Sequence, residues 1–239
     1  MALGLNYLYL PSSKMTDAFY AFKMRMSYRT WKYKLKKYTD EEFLADFKLL
    51  EVGCGPGYFL RCFERWFPKC DLYGLDINRE VVNYAVKHLK RTKLVVHDAQ
   101  ELPFDDKRFN ILCAFQVLEH LGSPEKFFRE ANRVLNANGV LIISTPNPDG
   151  ITAKILQDKW HGIRYDHVSL NNPKYWKGLL KANGFCILDD GSTLLSGFRI
   201  LQKMPLALAN WIPLAIFGYF HWYKGESYVA ICRKVKDAK

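Results

Sequence analysis

Leu49-Leu50-Glu51-Val52-Gly53-Cys54-Gly55-Pro56-Gly57 decides how this chain is read. A short apolar run ends in an acid, and three glycines then alternate through a tight turn. Beyond them Phe59, Leu60, Phe63, Trp66 and Phe67 fall near the spacing of one helix face. The pattern predicts a strand, a glycine turn and a helix N-terminus. Glycine lets a ligand lie against bare backbone, and a helix start favours a carboxylate or phosphate. The turn alone does not say which ligand it holds.

Downstream the same alternation repeats. Leu72–Asp76 reads as a strand ending in a carboxylate, followed by a helix from about Arg79 to Leu89 with Asn78 as cap. Leu94–His97, Asn110–Val117 and Val140–Thr145 read as further strands. Ser123-Pro124 and Asn172-Pro173 open helices, Gly184 closes the second, and Asn138-Gly139 is a turn signal. Phe185–Asp189 and Ser227–Arg233 are the last strands. Upstream, Thr39 to Glu42 reads as a capping box opening a short helix to about Phe47.

Strands alternating with helices predict βαβ units and a mostly parallel α/β sheet, with ligands beyond the carboxyl ends of its strands. Glu51, Asp76, Asp98, Gln116, Glu119-His120 and Pro146-Asn147 all mark those ends. One crevice would collect them.

A dinucleotide site wants G-x-G-x-x-G, whereas Gly53, Gly55 and Gly57 give G-x-G-x-G with Tyr58 following. Asp98, closing a third strand before A-Q-E-L-P-F, can accept a hydrogen bond from an exocyclic amine. At these residues the chain resembles the class I S-adenosylmethionine-dependent methyltransferases, the ubiquinone-biosynthesis O-methyltransferase-like group most of all. The segments that carry the likeness are L-L-E-V-G-C-G-P-G, L-Y-G-L-D-I, H-D-A-Q-E-L-P-F, F-Q-V-L-E-H-L and R-V-L-N-A-N-G-V-L-I-I-S-T-P-N, within Leu49–Asn147.

The resemblance implies a Rossmann-like, seven-stranded α/β sheet with helices on both faces and an antiparallel last strand, and it implies S-adenosyl-L-methionine as cofactor. By the same likeness Gly53, Cys54, Gly55 and Gly57 pass the amino acid part of the cofactor while Glu51 orients its ammonium. Asp76 holds the ribose, Ile77 flanks the adenine, Asp98 and Ala99 meet its edge, and Gln116 lines the methionine side. In the quinone enzymes an E-x-x-E-H run can hold a divalent metal. Here Gln116 stands at its first position, and no metal is assigned.

A hydroxyl acceptor needs a base, and His120, just after the fourth strand, is the first candidate; His167 in R-Y-D-H-V is the second. The acceptor is expected to be a small apolar or aromatic molecule. The alternatives are a non-catalytic methyltransferase-like binding subunit, or an enzyme acting on a protein or nucleic acid.

The chain has 239 residues and a net charge of +11. Eight Lys or Arg and one acid lie between Lys14 and Lys37, interleaved with aromatics. That stretch is a solvated amphipathic face or a basic contact surface, and with no nucleic-acid motif beside it, nucleic acid is disfavoured. Residues 1–47 are expected to form a basic-aromatic helical cap on a methyltransferase domain at 48–239.

Met204–Tyr223 carries no charge over its length but contains Pro205, Asn210, Pro213 and His221, which argue for a lid or hairpin rather than a membrane span. This insertion, at about 200–224, is expected to serve as a homodimer face, as extra core or as a peripheral membrane contact. Six cysteines without a C-x-x-C pair fit reduced thiols and a cytoplasmic location.

Overall fold

The structure, a computed structural model, describes residues 31, 34–39, 46–194 and 219–235. Lys48–Val52 (β1), Asp71–Asp76 (β2), Lys93–Val96 (β3), Phe109–Phe115 (β4), Leu135–Pro146 (β5), Phe185–Ser192 (β6) and Ser227–Lys234 (β7) form one seven-stranded sheet in the order β3-β2-β1-β4-β5-β7-β6. The first five strands are parallel; β7 lies antiparallel between β5 and β6. The class expected from the alternation is the one observed. Because β6 runs antiparallel to β7, the end of β6 and the start of β7 lie at the same rim as the carboxyl ends of β4 and β5.

The helices are Tyr58–Trp66 (α1), Arg79–Val86 (α2), Pro124–Val134 (α3), Ile151–Leu156 (α4) and Pro173–Ala182 (α5). Successive strand residues face opposite ways, and the two faces have separate cores. Leu50, Val52, Leu112 and Ala114 pack under Phe127 and Phe128 of α3 and Trp176 and Leu180 of α5. Leu49, Ile111 and Cys113 pack under Phe59, Leu60 and Phe63 of α1, together with Trp31 and Leu35. Burial on both faces is why β1 and β4 read as continuous apolar runs.

Local signals act largely as read. The Asn78 side chain accepts from Glu80 N at 2.9 Å and Val81 N at 3.3 Å, although α2 stops at Val86, short of Leu89. Asn172 accepts from Tyr175 N at 3.0 Å, with Pro173 at the first helical position. One reading needs correction. Asn138-Gly139 does not precede β5 but lies inside it. The strand starts at Leu135, the register against β4 shifts between Phe109 and Ile111, and Asn138 absorbs the shift at φ 66°. Thr39 follows the helical residues 34–38, and its hydroxyl donates to Leu35 O at 2.6 Å and its amide to the same carbonyl at 2.9 Å. Of the helix expected to follow, residues 40–45 lie outside the described residues, and Asp46 and Phe47 are not helical.

Residues 1–30 and 195–218 also lie outside the described residues, so most of the basic-aromatic stretch and of the apolar insertion are not placed. What is described of each is docked firmly. Trp31 packs on Phe115 at 5.4 Å and on Tyr219 at 6.2 Å between ring centroids. Asp189 of β6 accepts from the Tyr38 hydroxyl and lies 3.3 Å from the His221 ring. Phe220 forms a bridge with Ser192. Among the described residues no helix is long and apolar enough to cross a membrane.

Candidate active site

The strand order reverses between β1 and β4, and beyond that switch point lies a cavity of about 340 Å³, within the range of small-molecule sites. Gly53, Gly55, Asp76, Ile77, Asp98, Ala99, Gln116 and His120 line it. Sequence reasoning missed Phe115, Val117 and Leu121, which supply apolar wall, because an apolar residue at a strand end carries no distinguishing signal.

The glycine turn is built for close approach. Gly53 sits at φ 69°, and a Cβ there would come within 2.3 Å of the Val117 side chain. The loops after β1 and β4 can meet only because that atom is missing. Gly57 caps α1 at φ 78°, and a Cβ there would meet Leu89 at 2.7 Å, so this glycine serves packing behind the cavity. The turn's amides are already engaged. Gly53 and Cys54 both donate to Leu75 O, at 2.7 and 3.0 Å, and Gly55 donates to Asp76 Oδ2 at 2.9 Å. What the turn presents is bare surface more than free donors.

Asp76 is held at both oxygens, its Oδ1 taking Asn78 N at 2.9 Å. Burial nonetheless raises its pKa above the ordinary carboxylate value. Asp98 takes the Gln100 amide N–H at 2.8 Å, and the Gln100 side chain reaches both of its oxygens at 3.2 Å. Between these two acids Ile77 is 68% exposed at the cavity lip, an apolar flank ready for a planar base.

Glu51 and Cys54 do not line the cavity. Glu51 lies buried at the end of β1, and its Oε2 has no hydrogen-bond partner. Burial, with the Asp76 charge adding to it, lifts its carboxyl well above the usual range. Cys54 packs against Gly74, and burial pushes its thiol up, which removes nucleophilic character. Gln116 adopts φ 56°, rare for a side-chain-bearing residue, while its amide N–H bonds Ser144 O at 2.8 Å. Its side-chain amide turns to Ser144 Oγ at 3.2 Å and Ser227 Oγ at 3.5 Å.

The donors suit an adenosyl sulfonium cofactor. A buried carboxylate oxygen without a partner fits an ammonium group, two fixed acids fit hydroxyls and an exocyclic amine, and Ile77 fits the base between them.

The opposite end is assembled from distant segments. His120 follows β4 in a 3-10 turn, Leu118–His120, and its Nδ1 meets Asp166 O at 3.1 Å. His167 stands edge-to-face to it, with ring centroids 4.7 Å apart, and its Nδ1 meets Gly162 O at 2.7 Å. Burial lowers the His167 pKa. Arg164 grips Asp166 through two bonds, of 2.9 and 2.8 Å. Although burial opposes it, that grip holds the Asp166 carboxyl below its ordinary value. Glu119, 1% exposed, takes the Thr145 hydroxyl at 3.2 Å, and burial raises its pKa to about 7.

The E-x-x-E-H ligand set of the quinone enzymes is not completed here, since position 116 is an amide already bound to serines. Buried Glu226 fastens this end to β7 by accepting from Thr152 and from the Trp160 indole. Neither Asp166 nor Glu226 belongs to any local motif that would have found it.

A methyltransferase-domain family model matches residues 20–189. Malonyl-[acyl-carrier protein] O-methyltransferase of Legionella pneumophila is 35% identical over 130 residues, which cover 53% of this chain and 45% of that protein. Ubiquinone biosynthesis O-methyltransferase of Pelagibacter ubique is 29% identical over 111 residues, 44% of each chain. The chain thus spans less than half the length of these two relatives. Among solved structures the [4+2]-cyclase SpnF superposes with a TM-score of 0.62 at 20% identity, covering 87% of this chain and 80% of that one, a likeness of fold. Together with the cavity at the switch point, the family match over most of the chain leads to one assignment: this protein belongs to the class I S-adenosylmethionine-dependent methyltransferases.

Proposed function

We propose that the chain transfers a methyl group from S-adenosylmethionine to a small apolar or aromatic acceptor. The observation that carries this is the convergence of Gly53, Asp76, Ile77, Asp98 and Gln116 on one cavity. When bound, the cofactor supplies a methyl group already activated on a positive sulfur. Asp76 and Asp98 hold its ribose and base, Glu51 answers its ammonium charge, and Phe115, Val117 and Leu121 exclude water. His120 reaches the cavity from the other side with His167 behind it, and activation of the acceptor falls to this pair. Names of relatives that act on a quinone precursor and on an acyl-carrier-bound acid support a small acceptor.

Asp76→Ala tests the reading. Calorimetry should show S-adenosylhomocysteine binding weakened by about two orders of magnitude, since a charged hydrogen-bonding group and the anchor of Gly55 are lost together. Unchanged affinity would overturn the assignment of the cavity.

A second reading, a binding subunit that transfers no methyl group, is kept because the fold alone does not fix the reaction, a cyclase sharing it. Mass-spectrometric search of cell extract for products carrying a labelled methyl group separates the two. The reading keeps a cytoplasmic location, with peripheral membrane contact through 204–223. Flotation with anionic liposomes, before and after deletion of that stretch, tests the contact; equal partitioning defeats it.

A further inference from the structure

We infer that Glu119, His120 and His167 form a binding site for a divalent transition-metal ion, zinc being the type, at the acceptor end of the cavity. Each offers one ligand atom, and the three atoms lie within 4.8 Å of one another. Both rings are tied down in the same way. A main-chain carbonyl can only accept, so the Nδ1 of His120 facing Asp166 O and the Nδ1 of His167 facing Gly162 O each carry the proton. That leaves Nε2 of each neutral ring with its lone pair, the arrangement in which outer-shell acceptors hold ligating histidines. Glu119 adds a buried carboxylate steadied by Thr145. Arg164, the nearby cation, is neutralised by Asp166 and does not oppose a second positive charge.

This site differs from an E-x-x-E-H set in its third member. Gln116 is turned to Ser144 and Ser227, and His167 arrives instead from the loop before α5. Two imidazoles and one carboxylate match zinc and its neighbours, whereas magnesium and calcium prefer oxygen alone. Ligand atoms around tetrahedral zinc stand about 3.4 Å apart, so the side chains have to draw together by roughly 1 Å. His167, carried on a loop, can make that adjustment. The inference deepens the proposed function and rests on it for the ion's purpose, a positive charge beside the acceptor, but not for the binding itself.

The test uses the full chain, stripped of metal, with zinc followed by calorimetry and cobalt(II) by visible absorption. One zinc per chain is expected, and a cobalt spectrum of nitrogen and oxygen ligands without thiolate bands. His167→Gln, His120→Gln and Glu119→Gln should each weaken zinc by about tenfold or more, the least that loss of even an outer-shell partner costs. Gln116→Ala should leave zinc affinity unchanged, and millimolar magnesium should not displace the ion.

Zinc binding indifferent to His167 and His120, thiolate bands, or displacement by magnesium would each overturn the inference. Circular dichroism and thermal melting check that the ligand variants remain folded. Asp76→Ala, which should lose S-adenosylhomocysteine but keep zinc, separates failure of the metal site from failure of the cofactor site.

Discussion

The two ends of the cavity are built by different means. At the cofactor end every lining group lies within a few residues of a strand terminus, between Gly53 and Gln116, and parallel pairing of β1 with β2 and β4 fixes its position. Around His120 the parts come from the turn after β4, from residues 160–169 and from Glu226, held together by side-chain bonds across 46 and 66 positions of sequence. A third such bond, from Tyr38 to Asp189, clasps the residues before β1 to β6 across 151 positions. Sheet register carries one end and side-chain clasps carry the other. The cofactor end should therefore fail through backbone changes, and the acceptor end through single polar deletions that leave cofactor binding intact.

Gly53→Ala probes the backbone side and should have the largest effect on stability. It adds a methyl group at φ 69° and drives it into Val117, for about 3 kcal/mol of lost stability by urea denaturation. Adding Val117→Ala should recover the steric part but not the backbone part. Full recovery would mean the turn is less constrained than the geometry states.

Glu51→Gln comes next. Folding raises this carboxyl's pKa, so its contribution to stability is whole below the ordinary value near 4.5 and is lost as pH climbs through the folded value. The variant without cofactor should be more stable than the parent at pH 8 by about 1–3 kcal/mol, the cost of a buried group lacking a partner. Its stability should also change less with pH, and S-adenosylmethionine should bind more weakly. A parallel pH dependence in both proteins would show that Glu51 is not the group responsible.

Tyr38→Phe tests a clasp. Removing the hydroxyl that donates to Asp189 should cost about 1 kcal/mol and leave S-adenosylhomocysteine affinity within twofold. A larger loss of affinity would join the two ends that the comparison separates. Smallest of all, Cys54→Ala removes a filler beside Gly74, and less than about 1 kcal/mol should change in either stability or binding. A large binding defect would give that thiol a part in holding the cofactor.

The same contrast explains what could be read from sequence. Glu51, Asp76 and Asp98 announce themselves because a short apolar run leads up to each, and the glycine turn fixes which end of the strand is meant. Asn78 and Asn172 were legible for a similar reason, since a cap acts within its own next turn. Nothing local ties Asp166 to His120 or Glu226 to Trp160; only the folded sheet brings them together. The turn signal at Asn138-Gly139 misled because pairing across β4 and β5 outweighed local preference and kept the irregularity inside the strand.

The placement of β7 has a further consequence. Since β6 ends and β7 begins at the same rim of the sheet, the described residues on either side of the span, up to Leu194 and from Tyr219, meet there. Length and chemistry in that span can therefore diverge between relatives while the hydrogen-bonded scaffold and the cofactor's grip stay as they are. Exchanging the span between two such enzymes would test whether it selects the acceptor.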